Sequence, residues 1–334
     1  MRYGLLIKAW AIIILTAGGF VCLAGLAEDV SGRPDSQPEN QSGENPALEQ
    51  LAKCADTFYT NEKAGISRLA CFVQAPEIFK SQQYRSRYIL EKVDYEMIWE
   101  PDKALIVKPR DIPAYFGRDA RIEAELYAKG IAAQLQEMSK ITGPVAEIIR
   151  QISALRKTER YEIKSAAEGK LQKIELTARK ADRPKRRPGR AADGGQAENT
   201  DAEKPETAPA DTTIWLNAAN QITRFEIIGA KEKLAGVLTP VKYNKVWNIK
   251  QLDITSYKIS RPEKKESESD PALLFDFKDR VKVEITYAYP ADKAMVASNI
   301  LIIRLDKDGK TLVRRNEVNP INVIFTKHEV EKSK

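Results

Sequence analysis

Between Thr212 and Lys327 the sequence is a succession of β-branched and aromatic runs, most of them joined by short stretches of turn-forming residues. Strands joined this tightly must run antiparallel, because a parallel neighbour needs a crossover of a dozen residues or more. The runs are Thr212–Asn217, Arg224–Ile228, Trp247–Ile259, Val281–Tyr289, Ala297–Leu305, Thr311–Arg315 and Asn322–Lys327. Asn217-Ala218-Ala219-Asn220 and Asp308-Gly309 supply turn chemistry. Within Trp247–Ile259 the apolar set Trp247, Ile249, Leu252, Ile254 and Tyr257 slips out of strict alternation, which predicts a β-bulge.

The first half of the chain mixes periods. Pro46 opens a helical pattern in which Ala47, Leu48, Leu51, Ala52, Ala55 and Phe58 recur every three or four residues. Strands follow at Leu69–Gln74, Tyr84–Leu90, Tyr95–Trp99 and Ala104–Val107, separated by Pro76, Pro101 and Pro109. Ala120–Leu155 is helical again, divided at Gly143-Pro144. Ile122, Leu126, Ile131 and Leu135 mark one apolar face there, and Val145, Ile148, Ile149, Ile152 and Leu155 mark another. In the strand pair Tyr161–Ala178, Gln172, Ile174, Leu176 and Ala178 form the core-facing set. The expected class is mainly β (α+β): an antiparallel sheet with a few helices packed on one face.

Three segments cannot contribute to that core. Residues 1–27 combine Arg2 and Lys8, an uncharged stretch Ala9–Ala27, and Gly25-Leu26-Ala27 before Glu28-Asp29. This is the layout of a secretory signal peptide, with an uncleaved inner-membrane anchor and lipidation at Cys22 as the alternatives. Each places the remainder outside the cytoplasm, as a periplasmic or otherwise exported protein. Residues 28–45 read as a flexible tether. Arg179–Asp211 has seven basic residues in its first twelve positions, then a run of acids, four prolines and no aliphatic larger than alanine. Its eight bases and seven acids contribute only +1 and the leader's Arg2 and Lys8 two more, so of the chain's net charge of +7 about +4 is left, spread thinly over the folded part with its tails. The same cancellation, with no aromatics between the charges for base stacking, argues against nucleic acid as a partner.

The residue inventory argues against an enzyme. The single histidine, His328, leaves little room for imidazole catalysis or histidine-ligated metal, and no nucleophile elbow, phosphate loop, dinucleotide fingerprint or zinc motif is present. No metal and no cofactor are expected. Cys54 and Cys71 would remain after leader removal; in an oxidising compartment they are candidates for a disulfide, or else two separate buried thiols. The aromatic and aliphatic loading of the strands is the more informative feature. Phe72, Tyr88, Leu90, Tyr95, Met97, Trp99, Trp215 and Phe225 lie on separate strands, with Trp247 and Tyr257 further on. Gathered on one side of a sheet they would form an apolar wall for acyl chains, and closed over by helices they would form an ordinary core.

The order of these elements resembles that of the periplasmic outer-membrane lipoprotein carriers, the LolA-like proteins. A helix precedes a strand carrying Phe72-Val73-Gln74, and a later strand ends in Trp99 with Pro101 following. Leu176-Thr177, Thr213-Ile214-Trp215-Leu216 and Arg224-Phe225-Glu226-Ile227 are similar to that family's later hairpin, and Phe275-Asp276-Phe277 to its closing strand. The resemblance implies an incomplete β-barrel over residues 46–278, interrupted by the 179–211 segment, and a C-terminal β extension over 279–334. It further implies helices as a lid over the concave face and a hydrophobic cavity for lipid or lipoprotein acyl chains. A carrier or chaperone of this kind uses no cofactor and meets a membrane receptor or donor in the envelope; this chain is expected to be a monomer. Val93 stands where the carriers have a gating arginine, and the glycine they have early in that strand is absent around Arg85–Tyr88. A closed-core structural or assembly module, binding a protein partner through exposed strand edges, is the competing expectation.

Overall fold

The computed structural model describes residues 46–83, 93–101, 103–112, 118–139, 145–146, 148–149, 152, 161–178, 210–229, 231–260, 273–291, 294–313 and 318–333. The leader, the tether, the Tyr84–Leu90 run and the charged segment up to residue 209 lie outside the described residues. Asp211, expected to close that segment, instead opens a strand.

The elements follow in the order α1 (Pro46–Thr57), β1 (Ile66–Gln74), α2 (Pro76–Gln83), β2 (Asp94–Trp99), β3 (Ile106–Arg110), α3 (Arg118–Ser139), β4 (Tyr161–Glu168) and β5 (Leu171–Ala178). Then come β6 (Asp211–Leu216), β7 (Ile222–Ile228), β8 (Glu232–Tyr243), β9 (Val246–Ser260), β10 (Leu274–Ala288), β11 (Val296–Leu305) and β12 (Ile321–Lys332). All twelve strands belong to one sheet ordered β3-β2-β1-β12-β11-β10-β9-β8-β7-β6-β5-β4. Every pairing is antiparallel.

The order has a simple logic. Strands adjacent in sequence are adjacent in the sheet, except across the β3-to-β4 connection, which carries α3. The ladder between β1 and β12 makes up the deficit, joining the two arms of the meander. Its ion pair Arg68–Glu331 (2.8 Å) and the bond from Ser67 Oγ to the Glu331 carbonyl link residues more than 260 positions apart. The sheet is not closed into a barrel, since β3 and β4 remain its two edges. Residues 279–332, expected as an extension, are integral to this sheet: β11 and most of β10 sit mid-sheet, and β12 is the partner of β1.

Local sequence accounts for the irregularities. The phase change in β9 is a bulge at Lys250, since Gln251 pairs with Thr239 and Ile249 with Pro240. That bulge is also what lets Pro240 sit inside a long strand. A second bulge places Lys278 between Phe277, opposite Tyr257, and Asp279, opposite Ser256. The two-residue turn between β8 and β9, Asn244-Lys245, has positive φ at both positions (46° and 68°), matching the twist of the strands it joins.

Several expectations are corrected. Strand β8 was hidden by Gly236 and Pro240, which break its β pattern. Pro76 starts the short helix α2 rather than a turn, consistent with the tolerance for proline at a helix's first position. Of the expected strand Thr311–Arg315, Thr311 makes a single bridge to Leu305, Leu312 and Val313 are not in a strand, and the last two residues lie outside the described ones. In α3 the buried face is Ala124, Ala128, Ile131, Ala132, Leu135 and Met138, while Ile122 and Leu126 are 48% and 64% exposed.

Gly236 is required by its neighbour. A Cβ there would lie 2.2 Å from Cε1 of Phe225, whose ring is fully buried on the adjacent strand. Gly236→Ala is therefore expected to destabilise by about 1–3 kcal/mol through overpacking. In a Phe225→Leu background, denaturant unfolding should show a clearly smaller cost for the same change.

Candidate functional site

Cross-strand register and alternation determine which side chains share a face. From β3, Val107 stands opposite Met97, and Met97 opposite Cys71. Val73 is opposite Phe325, Val323 opposite Ile300, and Ile321 opposite Ile302. Ile302 faces Val283, which faces Leu252, which faces Leu238. Beyond them Gly236 is opposite Phe225, Phe225 opposite Ile214, and Ile214 opposite Ile174. Nearly all of these side chains are buried, and together they make one apolar face running from β3 to β5.

Helical residues belong to the same core. Ala47, Leu51, Cys54, Ala55 and Phe58 from α1 and its C-terminal turn join it, as do the buried residues of α3 and Val145, Ile148, Ile149 and Ile152. Phe58 is anchored to β9 by an edge-on contact with Trp247 (centroids 4.8 Å apart), and Trp247 Nε1 donates to Thr57 Oγ1 at 3.1 Å. The face is not wholly apolar. Arg304 and Asp279 form an ion pair of 3.1 Å, with both side chains about 10% exposed. Asn319 accepts from the Arg304 backbone N–H and donates back to its carbonyl, so it extends the end of β11.

The sequence-predicted residues divide between the two faces. Tyr95, Met97 and Phe225 lie in the shared core, and Phe79 of α2 stacks on Tyr95 at 5.5 Å. Trp99 follows them on β2 but packs into a satellite cluster with Ile66, Leu69, Ala294 and Val296. Phe72 and Trp215 are on the opposite face, which corrects their expected direction. Phe72, opposite Glu96, lies under the Lys327 ammonium at 4.7 Å. Trp215 lies under the Arg224 guanidinium at 4.2 Å and donates to Glu168 at 2.9 Å. Tyr257 is on that outer face too, its expected inward place taken by Ser256. Tyr88 and Leu90 are outside the described residues. The aliphatic members of the inner face, such as Val73, Val107, Ile214 and Ile302, were missed by an aromatic-led reading, although strand alternation marks them.

The outer face carries an open groove of about 440 Å³ over β7–β10. Its floor is Ala235, Gly236 and Val237, and Phe275 and Tyr257 line it together with charged residues. Those charges are paired. Arg280 grips Asp253 with two bonds (2.9 and 2.7 Å), and Glu226 takes Arg224 and Lys233 at 2.8 and 2.7 Å. Burial would raise the Glu226 carboxyl, but its bonds to Lys233 and Arg224 outweigh that and hold it below the usual range. Among the described residues no cluster of His, Cys, Asp or Glu could hold a metal ion. No helix among them is long and apolar enough to cross a membrane.

Cys54 and Cys71 are free and buried, so they are not the disulfide pair that remained open from sequence. Cys54 lies against the backbone of Ile222 on β7, whereas Cys71 is on β1, and five strands separate β1 from β7 in the sheet. Desolvation pushes both thiols up to about 12.

No protein-family model matches the chain, and neither a curated protein nor a solved structure similar to it was found.

Two outcomes follow from this geometry. Both thiols should resist a disulfide reagent at pH 8 in the native protein and react on unfolding. Because their folded pKa lies above the unfolded value, their contribution to stability should be complete below pH 9 and fall as pH rises toward 12. Arg304→Met, which strands Asp279 in the core, should cost about 3–5 kcal/mol in denaturant unfolding. Combining it with Asp279→Leu should recover most of that loss.

Proposed function

We propose that the protein is an exported binder of lipid or lipoprotein acyl chains, a carrier or chaperone of the cell envelope without catalytic activity. The observation that carries this reading is the apolar face, continuous over most of an unclosed twelve-stranded sheet, which shares one core with helical segments. The break in the strand ring falls between β3 and β4, and the connection there holds α3.

In this reading the sheet is a curved half-barrel, and α3 together with Val145, Ile148, Ile149 and Ile152 is its lid. The apolar side chains on both sides of α3 support such a role. Its second half contributes Ile131, Leu135 and Met138 to the core, while Ile122 and Leu126 of the first half face solvent. A helix with apolar groups on both sides loses less when it shifts than one with a single apolar face. Acyl chains entering between sheet and lid would exchange one set of apolar contacts for another, worth about 0.8 kcal/mol per buried methylene. The order of elements, similar to that of the LolA-like carriers, supports the same function, with an exported location and a membrane donor or receptor as its setting.

Close packing of the inner face, with Phe225 filling the space over Gly236, favours the second reading, a closed-core envelope module. One experiment separates the two. Protein purified from its host envelope should carry acyl lipid in native mass spectrometry and bind a fluorescent fatty acid. Lipid-free protein that binds no such probe would sink the carrier reading. Met97→Asp, on the inner face opposite Val107 and 9% exposed, should abolish uptake while the far-UV signal persists. Val313→Asp, at a site 90% exposed, should change neither.

A further inference from the structure

The two edges of the sheet are built differently. On β3 the backbone N–H of Val107 donates to Oε1 of Gln136 in α3 at 3.1 Å, so it points away from β2. Alternate residues of a strand direct their N–H groups to the same side, so the next outward donor would stand at residue 109, which is proline and has none. An approaching strand finds one donor of β3 occupied and the next missing. Natural sheets guard their edges in this way.

β4 lies near helix α1, but among the described residues no side chain caps a backbone donor of its 162–168 stretch. Its eight residues pair with β5 without a register shift, from Tyr161 opposite Ala178 to Glu168 opposite Leu171, and none is proline. Among the described residues no strand lies on its outer side. From Lys164 to Glu168 every side chain is exposed, on both faces of the hairpin.

Side-chain order determines what fits this edge. Ile163 and Ser165 stand opposite the buried Leu176 and Ile174, which puts Glu162, Lys164, Ala166 and Glu168 together on the outer face. The same strand laid antiparallel against itself about Ala166 brings Lys164 opposite Glu168 and Glu168 opposite Lys164. Ala166 then meets Ala166, and Ser165 meets Ala167, so the centre has only small side chains and opposite charges flank it twice. Trp215 Nε1 already orients the Glu168 carboxylate. We propose that β4 is a pairing edge for a second copy of this chain, antiparallel and centred on Ala166, joining two sheets across a two-fold axis. This replaces the expectation of a monomer, and it stands independently of the acyl-chain reading.

Sedimentation equilibrium of the full chain should give twice the 37.5 kDa of one copy. Lys164→Glu, which sets like charges opposite each other twice, should weaken the dimer about tenfold. The charge swap Lys164→Glu with Glu168→Lys should restore it, with far-UV spectra confirming that all variants are folded. Cα atoms directly opposite across such a ladder are about 4.5–5.5 Å apart, within disulfide reach. In a Cys22→Ser background, Ala166→Cys should therefore crosslink to itself under mild oxidation much faster than Ser165→Cys. A monomer at all concentrations, or a dimer indifferent to both the charge change and the position of the cysteine, overturns the proposal.

Discussion

The structure depends on keeping one face of the strands in phase. A strand alternates its side chains with a period of two, so a single unmatched residue would turn the rest of its apolar set to solvent. Over a fifteen-residue strand such as β9 that error would remove several buried aliphatic side chains, each worth about 1.5–3 kcal/mol. On β9 and β10, Lys250 and Lys278 are the residues that absorb it. Each is the extra position of a bulge, and each has a long charged side chain suited to lying outside the core. With the phase restored, Ile249 and Leu252 can both be buried on one strand, and Asp279 can meet Arg304 on the inner face.

Much of this was legible in the sequence because the relevant physics is local. Short turns dictated antiparallel pairing, the phase change in β9 announced its bulge, and Val145, Ile148, Ile149 and Ile152 were correctly read as a buried helical face. What escaped was decided across strands. The Gly236 and Pro240 positions of β8 look like strand breakers until Phe225 and Ile249 are seen beside them. Trp215 and Phe72 look like core residues by composition, yet an aromatic ring can be buried just as well under a guanidinium or an ammonium on the outer face. For the candidate site, residue type was a poorer guide than parity: the inner wall is mostly Ile, Val and Leu, and the aromatic residues are shared between the faces.

Helix α3 shows a related trade between local pattern and context. Its sequence offers two apolar stripes, and the core takes the one made largely of alanine, where a helix can approach the strands closely. The bulkier Ile122 and Leu126 are left outside. The helix also supplies Gln136 to the β3 backbone, so it both packs on the sheet and occupies part of its edge.

The union of β1 with β12 has a consequence for how the protein comes into being. Closing a loop of more than 260 residues carries an entropic cost of about 5 kcal/mol, and it cannot be met until the last strand exists. During synthesis from the N-terminus, β4 to β11 can zip hairpin by hairpin, but β1 to β3 must wait as a small exposed meander for nearly the whole of translation. Such a chain completes its sheet only at the end of synthesis. The free edge of β1 therefore stays unpaired until the chain is nearly complete, and the sheet is sealed by its last strand.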